Sequence, residues 1–157
     1  MKTSAIPLEA AVRGTLDRVD APAEDRADIA WACAWLEACG YPGVKMLVEA
    51  LRDERCYTPL VRDALGLDLN EVSCALLAPR LMREIAGAGR VFLRNVRHGL
   101  YLLPFTVRAG IGIGCPVDPA FAIGGERTGN PYAEKLAAAE CNGIVVDDES
   151  WRLLQVA

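Results

Sequence analysis

The hydrophobic period changes once along this chain, near residue 90, and that change limits what it can fold into. Before it, apolar residues recur every three or four positions. Leu8, Val12, Leu16 and Val19 mark the buried face of a helix over about 7–19. Asp20-Ala21-Pro22 breaks it and opens a second helix with Glu24 and Asp25 in the acidic first turn. Ala27, Ala30, Trp31, Ala34, Trp35 and Ala38 share one face of that helix, small residues beside two indoles, which predicts close helix-on-helix packing. After the break at Gly40-Tyr41-Pro42-Gly43, residues Val44, Leu47, Val48 and Leu51 mark a third helix. Thr58-Pro59 reads as a cap followed by a first-turn proline, starting a short helix over about 59–65 that stops at Gly66. Pro79 is placed to open a helix carrying Leu81, Met82 and Ile85.

After the change the signals are β-like. Val91-Phe92-Leu93 and Ile111-Gly112-Ile113-Gly114 read as strands, and the stretch from Gly99 to Val107, apolar nearly all round, reads as a buried element between them. That order suits a crossover unit. Gly124-Gly125 and Gly129-Asn130-Pro131 bracket a turn. Asn130 then caps a helix with Pro131 at its first position, and the helix stops at Asn142-Gly143. Ile144-Val145-Val146 is a last short strand before Asp147-Asp148-Glu149. The expectation is an α/β (α+β) chain: a helical layer over 1–66, then a small mixed sheet with packing helices over 67–157, together one domain.

Composition agrees. With 157 residues of which 52% are hydrophobic, the chain can build a core without a metal or disulfide staple. Six cysteines (Cys33, Cys39, Cys56, Cys74, Cys115, Cys141) include no C-x-x-C pair, so they read as free thiols in a reducing compartment and no metal is expected. The charged residues near the N-terminus leave no room for a secretory leader, and no apolar run could span a bilayer. These features predict a cytoplasmic protein with no membrane partner.

The net charge of −4 opposes nucleic-acid binding, but it conceals a basic segment. Residues 80–108 carry Arg80, Arg83, Arg90, Arg94, Arg97 and Arg108 against Glu84 alone. All six are arginine, whose planar fork grips carboxylate or phosphate, so a small anion is the expected partner. The alternative is six surface arginines paired with acidic neighbours. The same segment holds the chain's sole histidine, His98, just after a predicted strand. Imidazole exchanges protons near neutrality, which makes His98 a candidate proton donor to a carbonyl. Gly124-Gly125 and Gly129, with a helix start at Asn130, form a candidate anion cradle. Gly110-x-Gly112-x-Gly114 lies in a β-like run and lacks the spacing of a dinucleotide fingerprint. Cys115 could pair with His98 as a nucleophile, although no third group is evident to orient them.

Together Arg94-Asn95-Val96-Arg97-His98-Gly99, Gly110-Ile111-Gly112-Ile113, Gly124-Gly125 and Gly129-Asn130-Pro131-Tyr132-Ala133 resemble the malate/L-lactate dehydrogenase family over about residues 68–133. That family reduces 2-oxo acids and cyclic imines with NAD(P)H on a non-Rossmann fold. The chain is also similar to a bacterial domain of unknown function that reads as a shortened, diverged relative of those enzymes. The resemblance implies His98 as acid/base, Arg94 or Arg97 holding a substrate carboxylate, and Gly124, Gly125, Gly129, Asn130 and Pro131 approaching NAD(P). It also implies a homodimer. The chain departs from the pattern in two places: Val96-Arg97 replaces Ser-Asn before the histidine, and Cys39-Gly40-Tyr41-Pro42-Gly43 stands where the family carries Asp-Ser-His-Gly. Length also differs, since the family's chains are about twice as long. Three readings follow: a small oxidoreductase, a non-catalytic anion-binding protein or subunit completing a larger enzyme, and a self-associating protein using the Trp31/Trp35 face.

Overall fold

The computed structural model describes residues 1–53, 60–117 and 120–157, which form two compact units. Unit 1 comprises residues 1–53 and 130–157, and unit 2 comprises 54–129. The division therefore falls elsewhere than near residue 66, because the last 28 residues join the N-terminal helices.

In unit 1, helix α1 (Ala5–Arg18) buries Leu8, Val12, Thr15 and Leu16, the stripe that its sequence spacing predicts. Helix α2 (Ala23–Ala38) starts after Pro22 and is buried on most sides, with Ile29, Ala30, Ala32, Cys33, Ala34 and Leu36 all enclosed. Helix α3 (Gly43–Leu51) follows the predicted break. Its first residue must be glycine, since a Cβ on Gly43 would stand 2.7 Å from the Cys33 carbonyl oxygen. The small residues of α2 thus allow two helix backbones to meet.

A two-stranded antiparallel sheet joins β1 (Lys2–Thr3) to β7 (Ile144–Val145). Between them in sequence lies helix α6 (Ala133–Asn142), which begins later than expected. Asn130 does not cap it directly; its Oδ1 accepts the Tyr132 N–H at 2.9 Å in a turn before the helix. Beyond the acidic run lies a helix that periodicity did not reveal, α7 (Asp148–Val156). Asp147 caps it, its Oδ2 accepting the Ser150 N–H and hydroxyl at 2.8 Å each. Those bonds hold the Asp147 carboxyl below its usual range. The carbonyl of Leu154 in α7 accepts from Thr15 Oγ1 at 3.0 Å, tying α7 to α1.

Unit 2 is built on a five-stranded mixed sheet. Strands β2 (Val61–Asp63) and β3 (Gly66–Asp68) form a tight antiparallel hairpin. This overturns the helix expected over 59–65: the register Asp63↔Gly66 uses Gly66 as a turn residue with φ of +122°, not as a helix stop. The proposed cap Thr58-Pro59 lies outside the described residues. Helix α4 (Cys74–Ile85) begins well before Pro79, because Ser73 caps it by accepting the Ala75 N–H at 3.1 Å. Pro79 is accommodated inside it.

Strand β4 (Val91–Arg94) pairs parallel with β3, so β3-α4-β4 is the crossover between neighbouring strands. The crossover expected from residue 91 to residue 114 exists as a longer step. A 3-10 turn (Gly99–Tyr101) and helix α5 (Leu102–Ala109) lead to β5 (Ile111–Val117). Strand β6 (Ala120–Glu126) then returns to lie between β5 and β4, antiparallel to both. Gly124-Gly125 therefore belong to a strand and do not bracket a turn. Leu67, Leu93 and Ile123 on the three central strands are buried, as are Tyr101, Leu102 and Phe105 above them. The architecture is α/β, with a helical first part and a mixed sheet packed by helices. Among the described residues, no helix is long and apolar enough to cross a membrane.

Candidate functional site

The end of β4 carries the residues that the sequence singled out, and backbone bonds clamp them to the loop before α4. The carbonyls of Arg94, Asn95 and Arg97 accept the N–H groups of Leu69 (3.0 Å), Glu71 (2.9 Å) and Cys74 (3.0 Å). Asn95 Nδ2 donates to Asp68 Oδ1 at 2.9 Å, and the same oxygen accepts the Asn70 N–H. Asn95, the Asn70 N–H and the nearby Arg94 charge hold the Asp68 carboxyl below its usual range. Four residues of these two loops (Asn70, Glu71, Asn95, His98) take positive φ between +51° and +59°. Such conformations cost energy in a non-glycine residue and gather where a side chain must be held in one direction.

His98 is half-buried and starts the 3-10 turn, its carbonyl accepting the Tyr101 N–H at 3.0 Å. Its Nδ1 lies 2.7 Å from Ser73 Oγ. Ser73 is itself buried and held at the α4 cap, so the imidazole is oriented by a fixed hydroxyl. Sequence reasoning missed Ser73. The signal was present, a serine immediately before an apolar run, but Pro79 drew the helix start five residues too late.

The basic segment does not form a single patch. Arg80 bonds Glu84 at 3.2 Å along α4, Arg94 pairs with Asp63 of the hairpin, and Arg108 lies 5.2 Å over the Phe105 ring. Arg97, half-buried, precedes His98 in sequence, while the Arg94 Nε is buried without a hydrogen bond. The reading of arginines satisfied by neighbours in the fold thus holds for Arg80 and Arg94.

The structure does not bring the diglycine to His98. Val91 pairs with Ile123 and Leu93 with Phe121, so Gly124 sits beside Gly89-Arg90 at the start of β4. Arg94 ends that strand, about 13 Å along it from Arg90 at ~3.3 Å per residue, and His98 follows beyond it. A Cβ on Gly124 would fall 2.1 Å from the Gly89 carbonyl oxygen, and one on Gly125 would meet the Arg90 guanidinium at 3.1 Å. The space left by the missing side chains is taken by the chain itself, so these glycines do not fit the expected NAD(P) contact. Gly129 is exposed with open space around it, and Asn130 and Pro131 are exposed residues of unit 1.

No family model matches this chain, and no match was found among curated proteins or solved structures. Cys115's side chain lies outside the described residues, and the Cys74 thiol, next to Ser73 in sequence, is pushed up to about 12 by burial, which disfavours it as a nucleophile. Trp35, expected on a self-associating face, is buried and meets Tyr132 edge to face with ring centres 5.0 Å apart. Among the described residues no cluster of side chains suited to a metal is present.

Proposed function

We propose that unit 2 is an acid/base site for a small anionic carbonyl compound, with His98 as the proton donor and acceptor. The observation that carries this reading is the Ser73 Oγ–His98 Nδ1 contact of 2.7 Å, made by a half-buried ring on a positive-φ residue at a strand end. A hydroxyl fixed at a helix cap holds the imidazole in one orientation, which general acid catalysis requires. Arg97 supplies the carboxylate grip in this reading. The resemblance to malate/L-lactate dehydrogenases supplies the ligand class, a 2-oxo acid or cyclic imine. The protein works in the cytoplasm, as a homodimer or beside a subunit that completes the site.

The Arg94–Asp63 pair favours a second reading. One of the two expected guanidinium grips is already occupied, as suits a non-catalytic anion-binding protein or a subunit of a larger enzyme. One sample separates the two. His98 is the sole histidine, so its ring signals are unambiguous in a two-dimensional NMR spectrum. Pyruvate or 2-oxoglutarate should move those signals under either reading, and ring signals unmoved by both compounds overturn the site. Turnover of the 2-oxo acid with NADPH, lost in His98→Gln, favours the enzyme; anion binding without turnover favours the second reading.

A further inference from the structure

Unit 1 contains a hollow of about 600 Å³ that the His98 reading does not use. That volume lies within the range of small-molecule sites, roughly 300–1,000 Å³. Tyr41, Val48 and Leu153 line its apolar side, and Glu37 stands at its wall on the last turn of α2. Glu37 Oε1 accepts the Val44 N–H at 2.8 Å, at the start of α3. Asp147, which also lines the hollow, fills the same role at the start of α7. Two helix N-termini therefore open on this space, and the chain's own carboxylates already hold the positions that an incoming anion would use.

The remaining charge also disfavours an anion. Glu37, Glu49, Asp147 and Glu149 line the hollow against Lys45 and Arg52. Glu37 is half-buried, and among the described residues no cation lies within ion-pair distance of it; its partners are backbone N–H groups. A half-buried carboxylate without a countercharge gains most from a ligand that brings one.

We propose that this hollow binds a small organic amine, its ammonium held by Glu37 and its carbon chain lying against Tyr41, Val48 and Leu153. Binding is proton-linked, because an ammonium selects the ionised carboxylate. Burial raises the Glu37 carboxyl from 4.5 to about 7, so ionisation and amine binding rise together across neutrality. The other charged groups around Glu37 are Asp147 and Glu149 at the start of α7, Lys45, Glu49 and Arg52 along α3 and its end, and Lys135 of α6 on the adjoining surface.

The test uses n-butylamine and 1,4-diaminobutane as probes, with butyrate as the anionic control at matched ionic strength. Affinity is measured by calorimetry at pH 8 and pH 5.5. Both amines should bind at pH 8, about tenfold or more weaker at pH 5.5, and butyrate should not. Glu37→Gln, which keeps an oxygen for the Val44 N–H, should weaken amine binding by about tenfold or more. Leu153→Trp, which fills the hollow without changing charge, should abolish it and provides a second variant should Glu37→Gln fail to fold. No amine binding at pH 8, equal binding of butyrate, or amine binding unchanged in a folded variant overturns the proposal.

Discussion

Glu37 makes a quantitative prediction about stability that does not depend on any ligand. Its carboxyl is raised to about 7 from 4.5, first by burial and then by the nearby Asp147, against the lowering effect of the Val44 and Gly43 N–H groups. A raised folded-state value means that the folded protein holds a proton which the unfolded chain has released. Below about pH 4.5 both states are protonated and the carboxyl costs nothing. Between pH 4.5 and 7 stability falls, and above 7 the full cost is present. At 1.36 kcal/mol per unit the ceiling is about 3 kcal/mol, and the partial exposure of Glu37 reduces it to roughly 1–2 kcal/mol. Glu37→Gln removes the charge and keeps the Val44 bond. It should therefore stabilise unit 1 by roughly 1–2 kcal/mol at pH 8 and leave it unchanged at pH 4.5. Urea unfolding followed by tryptophan fluorescence isolates the effect, because Trp31, Trp35 and Trp151 all belong to unit 1. A variant no more stable than the parent at pH 8, or equally stabilised at both pH values, refutes the reasoning.

Other outcomes follow from the same geometry. Ser73→Ala removes the α4 cap and the hydroxyl on His98, and should cost about 1–3 kcal/mol while changing the imidazole tautomer seen by 15N NMR. An unchanged tautomer would detach Ser73 from the proposed site. Gly124→Ala should be far more harmful than Gly129→Ala. The first drives a Cβ into the Gly89 carbonyl; the second meets open space and carries only the positive-φ cost of about 1 kcal/mol. Chemical denaturation of both variants checks the contrast. Asp63→Asn releases the Arg94 guanidinium and should tighten 2-oxo acid binding in calorimetry; unchanged affinity removes Arg94 from the site.

The local grammar of the helical layer was legible in the sequence. α1, α2 and α3 appear within a few residues of where their apolar spacing and the breaks at Asp20-Ala21-Pro22 and Gly40-Gly43 put them. Strand β4 and the start of β5 were equally clear. The elements that sequence misplaced depend on partners remote along the chain. β2 and β3 are three-residue strands that exist because β4 pairs with one of them, and β6 is held between two strands that its own pattern does not announce. Ser73 outranked Pro79 as a helix start because a buried hydroxyl can satisfy both an orphan N–H and an imidazole.

The candidate site divides in the same way. Residue types and their order along the chain named His98 and the arginines beside it, because ionisation chemistry is intrinsic to the side chain. Which hydroxyl orients the ring, which carboxylate occupies Arg94, and that Gly124 serves strand packing were settled only when distant segments came together. Burial changes a group's properties through neighbours that lie far away in sequence. The Glu37 carboxyl is an ordinary acid in the unfolded chain and a proton-holding group near neutrality once α2, α3 and the turn into α7 enclose it.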